Sequence, residues 1–253
     1  MRGAKIRLLI KFKSLKDCFY DLKYYNKVRG FLYSLQKGSK YFNRHDNRGY
    51  KFYSFSNLIP PIDMKKDDVR TLMVSSPDID FIRWLYGRIL EMSHETKPVN
   101  IGEMQFEIDS VNFLRASVYD NSAMITGTPI VMRISKEKYT DYGINSQRPY
   151  EYWRPVYDFN AFVKQLSDNL VKKYNQYYNK KIENQNLFEM FKFKKSVCVH
   201  RIEEGVEQKT IGSLWEFKFS HLDNEQRKIL QLGLESGFGE LNSSGFGFMN
   251  VVE

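Results

Sequence analysis

The short apolar run AKIRLLIKF (Ala4–Phe12) predicts a strand, and apolar residues then fall at helical spacing at Tyr25, Val28, Leu32 and Leu35, predicting a helix over 23–37. The polar stretch Gly38–Gly49 reads as a loop. Two short strand-like runs follow, the aromatic-rich Tyr50–Ser56 and Val69–Ser75, with paired prolines between them. Ser76 as a cap and Pro77 as a first helical position predict a helix through SSPDIDFIRWLYGRILEM. Glu103–Phe113 alternates and predicts a strand, giving the order β-α-β-β-α-β.

The second half returns to that order more loosely. Met124–Ile134 reads as a strand with an edge or bulge at Pro129, and a helix begins near Asp158. Two strands are expected in FEMFKFKKSVCVHRI and SLWEFKFSHL. Asp223 caps a short helix with Gln226 at the capping-box position, Gly233 is its expected stop, and FGFMNVV forms a last strand. The fold class expected is α+β, two tandem ferredoxin-like (RRM-like) units over residues 1–120 and 121–253, with a glycine-rich loop near the C-terminus.

Composition supports packed cores: 42% of the 253 residues are hydrophobic and 15% aromatic, which excludes a disordered chain. No apolar run approaches membrane length, and the N-terminus lacks the apolar region of a secretory signal. With two cysteines, Cys18 and Cys198, these features lead to an expected cytoplasmic location. The net charge is +9, and residues 1–60 hold fourteen Lys/Arg against three Asp/Glu, a local net of +11. A basic field confined to the first quarter attracts polyanions, nucleic acid ahead of an acidic membrane surface.

In Leu234–Phe248 (LESGFGELNSSGFGF), Gly237, Gly239, Gly245 and Gly247 form two Gly-Phe-Gly pairs. They follow a helix and precede the final strand, the reverse of a dinucleotide fingerprint, and no Gly-Lys-Ser/Thr of a P-loop is present. Two readings stay open: a loop whose N–H groups line a polyanion, helped by Asn242, Ser243 and Ser244, or a tight connection that needs glycine for its shape.

Among the histidines, His45 sits in the polar loop NRHDNRG without an apolar pattern around it. Tyr33 lies with Asn26, Arg29 and Lys37 on the polar face of its helix, where the core does not require an aromatic ring. Lys51 opens the next strand. No carboxylate spacing builds a metal site: Asp67-Asp68 follows two lysines in a loop, and Asp78-x-Asp80 opens a helix. Neither metal nor cofactor is expected.

The two Gly-Phe-Gly pairs resemble the glycine-rich signature of the CRISPR-associated repeat-RNA endoribonucleases, the Cas six family of the RAMP superfamily, and Thr126–Arg133 (TGTPIVMR) resembles the first strand of that family's second domain. Gly30-Phe-Leu-Tyr33 resembles the context of the tyrosine in members that carry a Tyr-His-Lys set, and His45 and Lys51 follow in the matching order. The resemblance implies metal-independent attack of a ribose 2′-hydroxyl on the adjacent phosphate, leaving a 2′,3′-cyclic phosphate and a 5′-hydroxyl. His45 is then the principal acid or base, Tyr33 acts at the nucleophile and Lys51 at the phosphate. Arg29, Lys37, Lys40, Arg44 and Arg48, with Lys11, would meet the RNA backbone, joined by Gly237, Gly239, Ser243, Ser244, Gly245 and Gly247. Lys172-Lys173, Lys180-Lys181 and Lys192–Lys195 would form the other wall of the cleft. The partner expected is CRISPR repeat RNA, with effector-complex subunits or a second copy as further partners. The alternative is a non-cleaving RAMP subunit that holds guide RNA.

Overall fold

The computed structural model describes residues 6–20, 23–42, 49–95, 97–183, 185–203 and 205–252. The first sheet is antiparallel and centred on β1 (Ile6–Ser14), which pairs with β3 (Val69–Ser75) on one side and β5 (Met104–Arg115) on the other. The short β2 (Ser54–Phe55) and β4 (Val99–Ile101) form its edges, giving the order β2-β3-β1-β5-β4. Leu8, Ile10 and Phe12 alternate along β1 and are fully buried. They belong to one core with Val28, Leu32 and Leu35 of α1 (Tyr24–Gln36) and Ile82, Leu85 and Ile89 of α2 (Ile79–His94). Apolar residues three and four apart on each helix present one stripe to the sheet, and burying each such side chain contributes about 1.5–3 kcal/mol.

The second sheet has the order β11-β6-β10-β9, built from β6 (Ala123–Thr126), β9 (Met190–Glu203), β10 (Val206–Lys218) and β11 (Met249–Val252). With β6 counted as its first strand, its order is that of the first sheet without the β4 edge. A separate two-stranded ribbon joins β7 (Arg133–Ser135) to β8 (Tyr150–Tyr152). Asp158 caps α3 (Phe159–Tyr178), and Asp223 with Gln226 forms a reciprocal capping box on α4 (Asn224–Ser236). The second core gathers around Trp215, whose ring stacks on Phe162 at 4.5 Å.

Several expectations change. Tyr50–Ser56 is extended only at Ser54–Phe55, because Phe52 adopts φ 52° and turns the chain. Its ring packs on Tyr177 instead. Met124–Ile134 does not run as one strand. After Thr126 it leaves the sheet, and Ile130 exchanges hydrogen bonds with Ser213 while Val131 pairs with Glu240. Asp78 rather than Ser76 caps α2, accepting from the N–H groups of Asp80 and Phe81, whereas the Ser76 hydroxyl donates to the Phe52 carbonyl. Gly233 lies inside α4, where its missing side chain admits Phe238 and Leu170, and the helix ends at Gly237. Among the described residues, no helix is long and apolar enough to cross a membrane.

Candidate functional site

The glycine motif is the joint between the two halves. After α4 the chain sends Phe238 into the second core against Phe188 and Phe217, and after a 3-10 turn at Asn242–Ser244 it sends Phe246 into the first core. There Phe246 stacks on Tyr25 of α1 at 4.7 Å, and the Arg201 guanidinium lies 5.7 Å from its ring centroid. Gly247 has φ 68°, and a Cβ there would stand 1.9 Å from the Phe238 carbonyl oxygen. Gly245 has φ 94° and lets Phe55 and Tyr25 approach to where a side chain would begin. The expectation that glycine N–H groups face a polyanion is corrected at Gly237, Gly245 and Gly247. All three residues are buried, and they donate to the carbonyls of Gly233, Asn242 and Pro129. Gly239 is buried as well, while Ser243 and Ser244 stay half-buried at the rim.

The segment after β6 explains why TGTPIVMR and the glycine motif belong together. Gly127 and Thr128 donate from their backbones to the Phe248 carbonyl, and the Thr128 hydroxyl accepts from the Phe248 N–H. Glu240 donates to the Val131 carbonyl, and its carboxylate holds the Arg133 guanidinium. A third tie comes from β1. Arg7, 2% exposed, donates to the carbonyls of Leu234 and Met249 at 2.9 and 2.6 Å. Burial pushes its guanidinium down to about 10, with Glu235 opposing.

Beside the motif opens a cleft of about 460 Å³. Tyr50, Lys51 and Phe52 line it together with Asn169 and Lys173 of α3 and with Glu240, Asn242 and Ser243 of the motif. Arg133 lines it as well, its guanidinium over the Tyr150 ring at 5.3 Å. The structure therefore brings Lys51 and Ser243 together in one concavity, from opposite ends of the chain.

Arg29 and Tyr33 of α1 and Lys37, which caps its C-terminus, follow one another at four-residue steps, Arg29 and Tyr33 half-buried and Lys37 exposed. Tyr33 stacks on Phe42 at 4.9 Å, and Lys40 is exposed over the Tyr41 ring. His45, Arg44 and Arg48 lie outside the described residues. The described chain stops at Phe42, beside Tyr33, and resumes at Gly49, two residues before Lys51. Lys11 is exposed on β1, and Lys192, Lys194 and Lys195 are exposed on β9.

Lys173 is corrected from a solvent-facing wall residue to a buried one, 1% exposed. It continues the apolar stripe of Leu166 and Leu170 at helical spacing, so its position on the buried face was readable from the sequence. Arg7, Arg133 and Arg201 were not singled out. Arg7 lies on β1 between the inward-facing Leu8 and the end of the strand, a charge whose destination only the second half supplies. His200 faces Glu207 across the β9–β10 hairpin at 2.9 Å, outside the cleft. Among the described residues no group of three His, Cys, Asp or Glu side chains is arranged to hold a metal ion.

A mixed α/β chain of antiparallel sheets joined by a buried glycine turn has close counterparts among solved structures. One described as "An RAMP protein binding different RNA substrates" superposes with a TM-score of 0.73 at 17% identity, covering 98% of this chain and 100% of that one. Another, described as "CRISPR associated protein Cas6", superposes with a TM-score of 0.71 at 21% identity, covering 98% and 99%. Residues 94–251 match the family model "CRISPR associated protein Cas6, C-terminal", and the chain belongs to that family. It is 28% identical to the CRISPR-associated endoribonuclease Cas6 of Haloferax mediterranei over 258 residues, 98% of this chain and 94% of that one. To CRISPR-associated endoribonuclease Cas6 2 of Methanocaldococcus jannaschii it is 29% identical over 255 residues, 98% and 100% of the two chains.

Proposed function

We propose that this protein is a CRISPR repeat-RNA processing endoribonuclease that cleaves without a metal ion. Its halves, residues 1–120 and 121–253, are read as two ferredoxin-like domains, a reading supported by the matching strand orders of the two sheets. The observation that carries the function is the cleft itself. A family member's glycine motif and a lysine of the basic first quarter share one concavity large enough for a nucleotide. The ribose 2′-hydroxyl attacks the adjacent phosphorus, the 5′-oxygen leaves, and a 2′,3′-cyclic phosphate and a 5′-hydroxyl result. His45 moves the proton, the side-chain type best suited to acid–base work near neutral pH. Lys51 stabilises charge on the phosphorane oxygens, and Tyr33 orients the 2′-hydroxyl. Arg29, Lys37, Lys40, Arg44 and Arg48 hold phosphates, with Ser243 and Ser244 donating from the far rim. The buried glycines shape that rim from beneath.

The test is cleavage, in EDTA, of synthetic RNAs each holding one complete CRISPR repeat of its source genome. One cut leaving a cyclic phosphate is expected, and a 2′-deoxy nucleotide at the scissile position abolishes cutting while sparing binding. Tight binding of the repeat without any cut would instead favour a guide-holding RAMP subunit, within an effector complex or as a homodimer. Unchanged cutting by His45→Ala would remove that residue from the chemistry and leave the function standing.

A further inference from the structure

Lys173 is a fully buried lysine that the cleavage chemistry does not use. Its ammonium stands 2.7 Å from the carbonyl oxygens of Gly237 and Gly239 and 2.6 Å from the Asn242 side-chain oxygen. The Asn242 amide in turn donates to the carbonyls of Phe238 and Phe246, so one network spans both Gly-Phe-Gly pairs. The ammonium also faces the Tyr50 ring, 5.4 Å from its centroid.

Its helix neighbours face the same strip of chain. Asn169, one turn before, donates to the Tyr50 hydroxyl at 3.4 Å, and Tyr177, one turn after, meets the Phe52 ring edge-to-face at 4.9 Å. Asn169, Lys173 and Tyr177 recur every four residues, so α3 offers a single track that grips Tyr50 and Phe52 on either side of Lys51. A buried ammonium is costly unless it is fully hydrogen-bonded, and an apolar side chain of similar length often serves stability as well. An ammonium, with three N–H donors, can join three oxygens of the glycine motif and still lie within cation–π range of the Tyr50 ring; an apolar side chain can do neither.

We propose that Lys173 is a positioning residue: by coupling the glycine motif to Tyr50 it fixes where Lys51 enters the cleft. The inference rests on the cleavage reading above. It gives the second half a part in setting the catalytic geometry of the first. Small displacements of a reacting group are expensive, since a shift of about 1 Å can cost on the order of a hundredfold in rate.

The experiment is single-turnover cleavage of the one-repeat RNA at saturating protein by wild type, Lys173→Met, Lys51→Ala and the double variant, with melting curves and RNA affinity measured alongside. Lys173→Met is expected to fold, to bind RNA within about twofold of wild type, and to cut about tenfold or more slowly. Because it acts through Lys51, the double variant is expected to cut no more slowly than Lys51→Ala, within about twofold. A loss of stability alone would multiply the two effects, and that result overturns the inference, as does a folded Lys173→Met that cuts at the wild-type rate. Should Lys173→Met fail to fold, Tyr50→Leu takes its place in the same cycle, with the same outcomes for and against. A wild type that cuts no repeat RNA is a failure of the cleavage reading, seen before any variant is made, and the inference falls with it. A Lys51→Ala that cuts normally overturns this inference alone.

Discussion

The glycine motif and the basic face of α1 occupy the same neighbourhood and contribute to it by opposite means. The motif's glycines are buried, the N–H groups of Gly237, Gly245 and Gly247 bonded internally, its two phenylalanines in two different cores. The α1 face carries Lys37 and, just beyond it, Lys40, both open to solvent. One region acts through shape and the other through charge. The sequence features that mark a family most clearly can therefore be those that build its site rather than those that touch its ligand.

The strongest way to break this contrast is at Gly247. Its φ of 68° strains any other residue, and a Cβ would collide with the Phe238 carbonyl at 1.9 Å. Gly247→Ala is expected to cost about 3 kcal/mol or more, lowering the melting temperature by about 6–12 °C. A variant that melts like wild type while losing RNA affinity would make the motif a contact surface after all. The charge side is tested by Lys37→Ala with Lys40→Ala. Melting should stay within about 2 °C of wild type, because exposed substitutions rarely exceed about 0.5 kcal/mol. RNA affinity should fall, and the slope of log affinity against log salt should shrink by about 0.7 for each lost contact to single-stranded phosphate. An unchanged slope would remove these lysines from the RNA path.

A pH series sharpens the role of Lys173. Burial pushes its ammonium down from 10.5 to about 7, with Glu240 opposing, while the three oxygens around it also favour the charged form. Its other packed neighbour is the Tyr50 ring. Below pH 7 both folded and unfolded chains carry the charge, and the cost of burying it is fully present. Between about pH 7 and 10 the unfolded chain binds more protons, so stability rises with pH. Melting of wild type relative to Lys173→Met should therefore improve from pH 6.5 to 9.5. A flat difference would mean that the oxygens keep the ammonium charged throughout.

Much of this was legible in the pattern of residues because it depends on local rules. Asp158 and the Asp223–Gln226 capping box were readable as helix starts, and β3 was readable to the residue, since each needs only neighbours within a few positions. The turn at Phe52 was hidden, because a bulky aromatic at positive φ is held there by Tyr177 and Ser76, both distant in sequence. Lys51 and Ser243 could each be proposed for a site, yet nothing local says that they share one. Lys173 is hard to read for a different reason: a lysine in an exposed-looking pair carries no sign that three oxygens wait for it, except its place on the apolar stripe.

The destination of Phe246 also bears on the order in which the molecule assembles. Its ring completes the core of the first half, stacked on Tyr25 and beside Phe55. A ribosome releases that half long before Phe246 is made. Until then α1 and β2 enclose a gap, and the first half stays short of its full stability on the ribosome. The cleft that gathers Lys51 and Ser243 therefore cannot close around an RNA during synthesis. It is complete only after the glycine motif has docked, a contact of very long sequence separation and hence one of the later steps of folding.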